Sequence, residues 1–196
     1  MKRLIVGMSG STGIIYGIRM LEILKQIDDI ESHLVMTTTA KMNVAIETDI
    51  TVKDIEALAD VVHSDKDLAA SISSGSFKTA GMVVVPCAMK TLSGIVHSYS
   101  DSLVVRAADV ILKEHRRLVI VPRETPLHLG HTKLMYEAAQ LGAIIAPPMP
   151  AFYNHPKTID DIVNHTVGRV FDLFEIDTGM VKRWTGAEKA NARKND

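Results

Sequence analysis

Five short runs of branched aliphatic residues, each stopped by glycine, proline or a small polar residue, constrain this chain more than any other feature. They are RLIVGM near 3–8, HLVMTT near 33–38, GMVVVPC at 81–87, RLVIVPRE at 117–124 and GAIIAPPMP at 142–150. A strand with one face in water alternates apolar and polar residues. These runs do not alternate, so each is expected to be a strand buried on both faces, the condition of a parallel sheet covered by helices. Between them lie stretches with helical spacing. Ile14, Ile18, Leu21 and Leu24 recur within 12–26; Leu103, Ala107, Val110 and Ile111 within 100–115; Met135, Ala138 and Leu141 within 132–141, which Gly142 stops. Alternating strands and helices predict an α/β fold with a parallel sheet flanked by helices.

The chain of 196 residues is long enough for one sizeable core, and nothing in it requires two. A single domain is expected over 1–185, followed by the polar tail GAEKANARKND at 186–196, where the apolar pattern ends. The formal net charge of -1 provides no global attraction for nucleic acid or an anionic membrane, so any phosphate must be held by a few placed residues. Lys2 and Arg3 before Leu4, Ile5 and Val6 suggest the start of a targeting signal, but Gly7, Ser9, Gly10 and Ser11 interrupt it at once. No apolar stretch approaches the roughly 18 residues of a spanning helix. Cys87 is the only cysteine, which excludes an intrachain disulfide and a multi-thiolate metal site and fits a cytoplasmic location. The eight histidines form no ligand-spaced cluster, so no metal is expected.

In open α/β sheets, ligands bind beyond the carboxyl ends of the strands, which singles out the loops GSTG, TTTA, PCAMKT and PRETP. The first belongs to GMSGSTG, where Gly7, Gly10 and Gly13 are spaced by three. A strand, a glycine turn and a helix amino end can seat a phosphate, or can simply pack helix on strand. The spacing is not the Gly-x-Gly-x-x-Gly of dinucleotide sites, and the second strand ends in Thr37, Thr38 and Thr39 rather than an acid. Those hydroxyls favour a mononucleotide such as FMN. Arg106 and Lys113, seven residues apart with Asp109 between, share a helical face that reads as a solvated charged stripe or as part of a site. Arg123 and Glu124 follow a buried strand, where they can hold an anion and move a proton, or close the loop as a salt bridge. Tyr153 in AFYNHP, Arg169 in the final helix ending GRVFDLF, and Trp184 could hold a phosphate and enclose an apolar group. Cys87, at a strand end without a partner histidine in the sequence, reads as a packed thiol.

Taken in order, GSTGIIYG, AIETD, SSGSF, VVVPCAMKTLSGI, RAADVILKEHRRLVIVPRETPLH, GAIIAPPMPAFY and GRVFDLF with RW resemble the UbiX-type flavin prenyltransferases along nearly the whole chain, including members that accompany phenolic acid decarboxylases. The RAADV, KE and PRE block is the most specific part. The resemblance implies a flavodoxin-like Rossmann fold and a transferase that joins the dimethylallyl group of dimethylallyl phosphate to N5 and C6 of reduced FMN. The products would be phosphate and prenylated FMN, the latter for a UbiD-type decarboxylase, with no metal. It further implies an FMN site including Gly10, Ser11, Thr12, Gly13, Thr37, Thr91, Ser93, Arg106 and Arg123. A prenyl-phosphate group would comprise Lys113, Arg123, Tyr153 and Arg169, drawn from different chains of a homododecamer. Glu124 matches a proton-transfer glutamate, Glu47 one near flavin N5, and Trp184 an aromatic wall of the prenyl pocket. Where some relatives carry Trp-x-x-Pro before the SGS stretch, this chain has Leu68, which leaves the prenyl donor's length and its phosphate or diphosphate form open. Two other readings stand beside this one: an FMN-dependent cysteine decarboxylase, and a flavin-binding subunit without catalysis.

Overall fold

Each of the five apolar runs becomes a strand of one all-parallel sheet in the computed structural model, which describes residues 1–184 and Gly186. The strands are β1 (Lys2–Met8), β2 (Ile30–Met36), β3 (Val61–Ser64), β4 (Gly81–Cys87), β5 (Arg117–Pro122) and β6 (Ile144–Ile145). The short β3, absent from the apolar runs, forms an edge, and the order is β3-β2-β1-β4-β5-β6. Without β3 the remaining strands follow the flavodoxin-like order, so the expected fold class is the one adopted. The final run yields only two strand residues, because Pro147 and Pro148 have no N–H to continue the ladder after Ala146 donates to the Ile120 carbonyl. The polar tail beyond Gly186 lies outside the described residues.

Side chains of a strand point alternately to its two faces, and here both faces are covered. Leu4, Val6, Met8, Val83, Val85, Val119 and Val121 enter one core with α1 (Ile14–Leu24), α2 (Thr38–Glu47), α3 (Val52–Glu56) and α7 (Ile159–Asp172). Ile5, Met82, Val84, Leu118 and Ile120 enter the other core with α4 (Met89–Val96), α5 (Leu103–Lys113) and α6 (Leu129–Gln140). All seven residues of β4 are buried. This division explains why the apolar runs are continuous.

The three helices expected from spacing are α1, α5 and α6. Helix α1 begins only at Ile14, because Gly13 is left-handed at φ 98° and serves as its amino cap. Helix α6 begins three residues before the expected stretch, because the His128 ring accepts the Gly130 N–H at 3.0 Å and caps it. Thr37 and Thr38 leave the strand expected at 33–38: Thr37 caps α2, and Thr38 is its first residue.

The largest fully buried side chain is Phe171 on α7, at 0% exposure. Phe171→Ala is expected to destabilise the fold by ~3–5 kcal/mol, measured as a lower urea unfolding midpoint at unchanged slope.

Candidate active site

Beside β1 the chain reverses direction across the sheet, with β2 on one side and β4 on the other, so the loops after β1 and β4 diverge and leave a cleft. Two serines fix its floor. Buried Ser9 donates its hydroxyl to the Pro86 carbonyl at 3.1 Å and accepts the Ala88 N–H at 2.8 Å, joining the end of β1 to the end of β4. Ser11 donates to the Arg123 carbonyl at 2.8 Å, joining the same loop to the end of β5. Gly10 touches the first turn of α2, and a Cβ there would overlap the Thr39 side chain. The glycine spacing therefore has one member required by close approach and one, Gly13, by backbone conformation.

The cleft holds about 300 Å³ and is lined by Gly10, the Thr37–Thr39 run, Ala88, Lys90 and Thr91, with Asp65, Asp101, Ser102 and Val105 opposite. Three of the four loops singled out in the sequence thus meet here. The amino ends of the surrounding helices differ in how they are satisfied. Gly13 and Ile14 N–H groups both donate to Glu47 Oε2, at 2.8 and 3.1 Å. Thr37 Oγ1 accepts the Ala40 N–H at 3.1 Å. Asp65 Oδ1 accepts the Val104 N–H at 3.0 Å at the start of α5. Helix α4 is preceded by Ala88 at its cap position, which offers no side-chain acceptor. At the glycine loop the amino end of α1 is thus already met by the Glu47 carboxylate. The uncapped amides of α4, with Lys90 and the threonine hydroxyls, are the groups in the cleft suited to an anion.

The other expected residues fall into separate groups. Arg106 follows Val105 on α5, pairs with Asp109 at 2.9 Å and donates Nε to the Ser73 carbonyl at 3.2 Å. Lys113, two turns on, pairs with Glu114 at 2.5 Å. Arg123 and Glu124 do not pair with each other; Glu124 Oε1 accepts the Thr125 N–H at 3.1 Å. Burial pushes the Tyr16 phenol above its ordinary pKa, partly opposed by the nearby Arg123 charge. Ser93 faces His97 on α4 rather than the cleft, and Thr12 is exposed.

Tyr153 and Trp184 meet edge to face with ring centroids 5.8 Å apart. The Tyr153 hydroxyl lies 3.4 Å from His165 Nε2, and Asn154 Nδ2 lies 2.8 Å from His165 Nδ1. Burial, then the Arg169 charge, holds the His165 pKa below its ordinary value. Arg169, one turn on, pairs with Asp172 at 2.6 Å and lines a second cavity of about 190 Å³ with His165 and Met149. The Arg183 guanidinium, then burial opposing it and the Arg169 bond, set the Asp172 carboxyl below the usual range. Lys113 and Arg169 sit on helices covering opposite faces of the sheet, so a single chain does not bring them together.

Cys87 is fully buried, and burial pushes its thiol up to about 12, which makes it the packed thiol expected. Among the described residues, no three His, Cys, Asp or Glu side chains group to hold a metal ion. No helix among them is long and apolar enough to cross a membrane.

A family model described as Flavoprotein matches residues 1–171. Over 189 residues the chain is 58% identical to the flavin prenyltransferase UbiX of Escherichia coli (strain K12), covering 95% of this chain and 100% of that one. The chain belongs to the UbiX family. Two UbiX-type crystal structures superpose on it closely. AnUbiX (PadA1) in complex with FMN and dimethylallyl pyrophosphate has a TM-score of 0.93 at 48% identity, covering 95% of this chain and 98% of that one. The dodecameric FMN-dependent UbiX-like decarboxylase from Escherichia coli O157:H7 has a TM-score of 0.92 at 52% identity, covering 94% and 100%.

Reading the UbiX-type sequence alone missed Lys90, Asp65 and His165. Lys90 lies within a loop that was singled out, whereas Asp65 follows a strand too short to read, and His165 is a lone histidine on a helix.

Two outcomes test this geometry. Glu47→Ala, which uncaps α1, is expected to lower stability by ~1 kcal/mol, read from urea unfolding. Cys87 is expected to resist iodoacetamide near neutral pH in the folded protein and to label once denatured, as followed by mass spectrometry.

Proposed function

We propose that this chain is a flavin prenyltransferase. It joins the dimethylallyl group of dimethylallyl phosphate to N5 and C6 of reduced FMN, releases phosphate, and makes prenylated FMN for a UbiD-type decarboxylase. The observation that carries this reading is near full-length identity to a UbiX flavin prenyltransferase, together with a strand-end cleft whose donors suit a phosphorylated, planar ligand. The same identity favours prenyl transfer over cysteine decarboxylation.

Residues 1–185 are assigned to the flavoprotein domain and 186–196 to its polar tail. FMN is assigned to Gly10, Ser11, Thr12, Gly13, Thr37, Thr91, Ser93, Arg106 and Arg123, a reading supported by the position of Gly10, Thr37 and Thr91 on the lining of the cleft. When bound, reduced FMN supplies the nucleophilic N5 and C6. Lys113, Arg123 and Arg169 place positive charge where the leaving phosphate gains negative charge, with the Tyr153 hydroxyl as a further donor. Trp184, edge to face with Tyr153, provides an aromatic wall that excludes water from an allylic cation. Glu124 carries a proton through its carboxylate, which Arg123 does not occupy. Glu47, held at the start of α1, acts from the flavin N5 side.

Lys113 and Arg169 can act on one phosphate only if neighbouring copies complete the site. A homododecamer satisfies this, and exposed Met149, Phe152 and Ile159 offer apolar surface for packing between copies. A cytoplasmic location accords with a reduced, buried Cys87.

The purified protein, given reduced FMN and dimethylallyl phosphate without oxygen, is expected to yield a flavin heavier by one C5 unit by mass spectrometry. Absence of that product overturns the reading. Glu124→Ala is expected to abolish the product while leaving FMN binding intact; unchanged activation of a UbiD-type partner by this variant would instead identify a carrier.

A further inference from the structure

The SSGSF stretch, residues 73–77, forms a strap that begins at the last residue of a 3-10 turn and closes a tight turn, with the Phe77 N–H donating to the Ser74 carbonyl at 3.2 Å. Ser74 has φ -111° and ψ 134°, and exposed Ser74 and Ser76 alternate with half-buried Ser73, Gly75 and Phe77. Three of the strap's carbonyls meet arginines. Arg106 Nε donates to the Ser73 carbonyl at 3.2 Å, Arg116 Nη2 to that of Gly75 at 2.7 Å, and Arg116 Nη1 to that of Phe77 at 2.7 Å. The strap's far end is held under Arg3, whose guanidinium lies 4.7 Å from the Phe77 ring centroid.

The strap is pressed against Lys113. A Cβ on Gly75 would overlap the Glu114 carboxylate and lie 2.7 Å from Lys113 Nζ. Glu114 Oε1 accepts the Lys113 ammonium, while its Oε2 lies 3.8 Å from Arg116 Nη2. Arg116 thus touches both supports of the lysine, the strap and the carboxylate. Its side chain is only 17% exposed, against 47% for Lys113, so the more buried group supports the more exposed one. A planar guanidinium can meet two carbonyls at once, whereas an ammonium is a point donor that cannot reproduce the fork.

We propose that Arg116 is a positioning residue for Lys113: bridging the Gly75 and Phe77 carbonyls, it holds the 73–77 strap as a wall that, with Glu114, aims the Lys113 ammonium at the phosphate of the prenyl donor. This rests on the placement of Lys113 at that phosphate. Arg116→Lys removes no apolar side chain from either core, so its effect is expected on donor binding, with the fold checked separately.

The test measures the Kd of dimethylallyl phosphate for FMN-loaded protein by calorimetry in four forms: the unaltered chain, Arg116→Lys, Lys113→Ala and the double variant. FMN affinity and thermal unfolding serve as controls for folding. Arg116→Lys is expected to weaken donor binding about tenfold, the scale of a lost hydrogen bond to a charged group, with FMN affinity unchanged. On the Lys113→Ala background it is expected to add nothing, because Arg116 acts through Lys113. Equal weakening on both backgrounds overturns the proposal, as does no effect of Arg116→Lys where Lys113→Ala weakens binding; the second result leaves the assignment of Lys113 standing. If Lys113→Ala itself binds the donor normally, that assignment fails and the proposal with it.

Discussion

Strands β1 and β4 lie side by side at the centre of the sheet, and no side chain of β4 from Gly81 to Cys87 reaches water. A parallel strand in that position must be covered on both faces, so its crossover connections must place helices on both. The chain meets this by building outward from β1 to β2 and β3, then returning to lay β4, β5 and β6 on the other side. Where the direction reverses, the loops diverge and no helix spans the gap. Ser9 and Ser11 satisfy the backbone there by tying three strand ends together. The cleft is thus a consequence of covering the sheet, and these hydrogen bonds tie the strand ends beneath it.

Three of the expected cations rest on neighbouring carboxylates. Lys113 leans on Glu114, Arg169 on Asp172 and Arg106 on Asp109, and all three cations are at least one-third exposed. Exposed pairs of this kind contribute roughly 0–1 kcal/mol each, so these cations are held only weakly by their partners. The amino end of α1 behaves differently, since Glu47 receives two of its N–H groups and an incoming anion would have to displace a well-placed carboxylate. The uncapped start of α4 has no such competitor.

The sheet was largely legible because burial on both faces leaves a mark that few other structures leave: an apolar run without alternation. Strand β3, with half of its four residues exposed, carries no such mark. Helix α2 was missed because only Ala40 and Val44 are buried, too few to establish a period, and its Met42 and Ile46 face outward. In the site, the loops were legible and the choice within them less so. PCAMKT was recognised as a strand-end loop, yet Lys90 and the uncapped Ala88 line the cleft while Ser93 turns to His97. Which residue of a helix faces a cleft depends on the angle at which its first turn leaves the sheet, and spacing does not record that angle.

The residue pattern alone dictates a parallel α/β sheet, three of the strand-end loops that meet at the cleft and, through motifs in order along nearly the whole chain, the UbiX family. Local sequence suffices for these because strand burial, glycine turns and motif order are written in neighbouring residues. The folded chain alone decides that Glu47 caps α1, that His165 lies beside Tyr153, that Arg116 braces the strap beside Lys113, and that Lys113 and Arg169 lie on opposite faces. Each of these depends on segments distant in sequence meeting at angstrom range. Such meetings are set by how the helices pack across the sheet, which no single stretch of the chain contains.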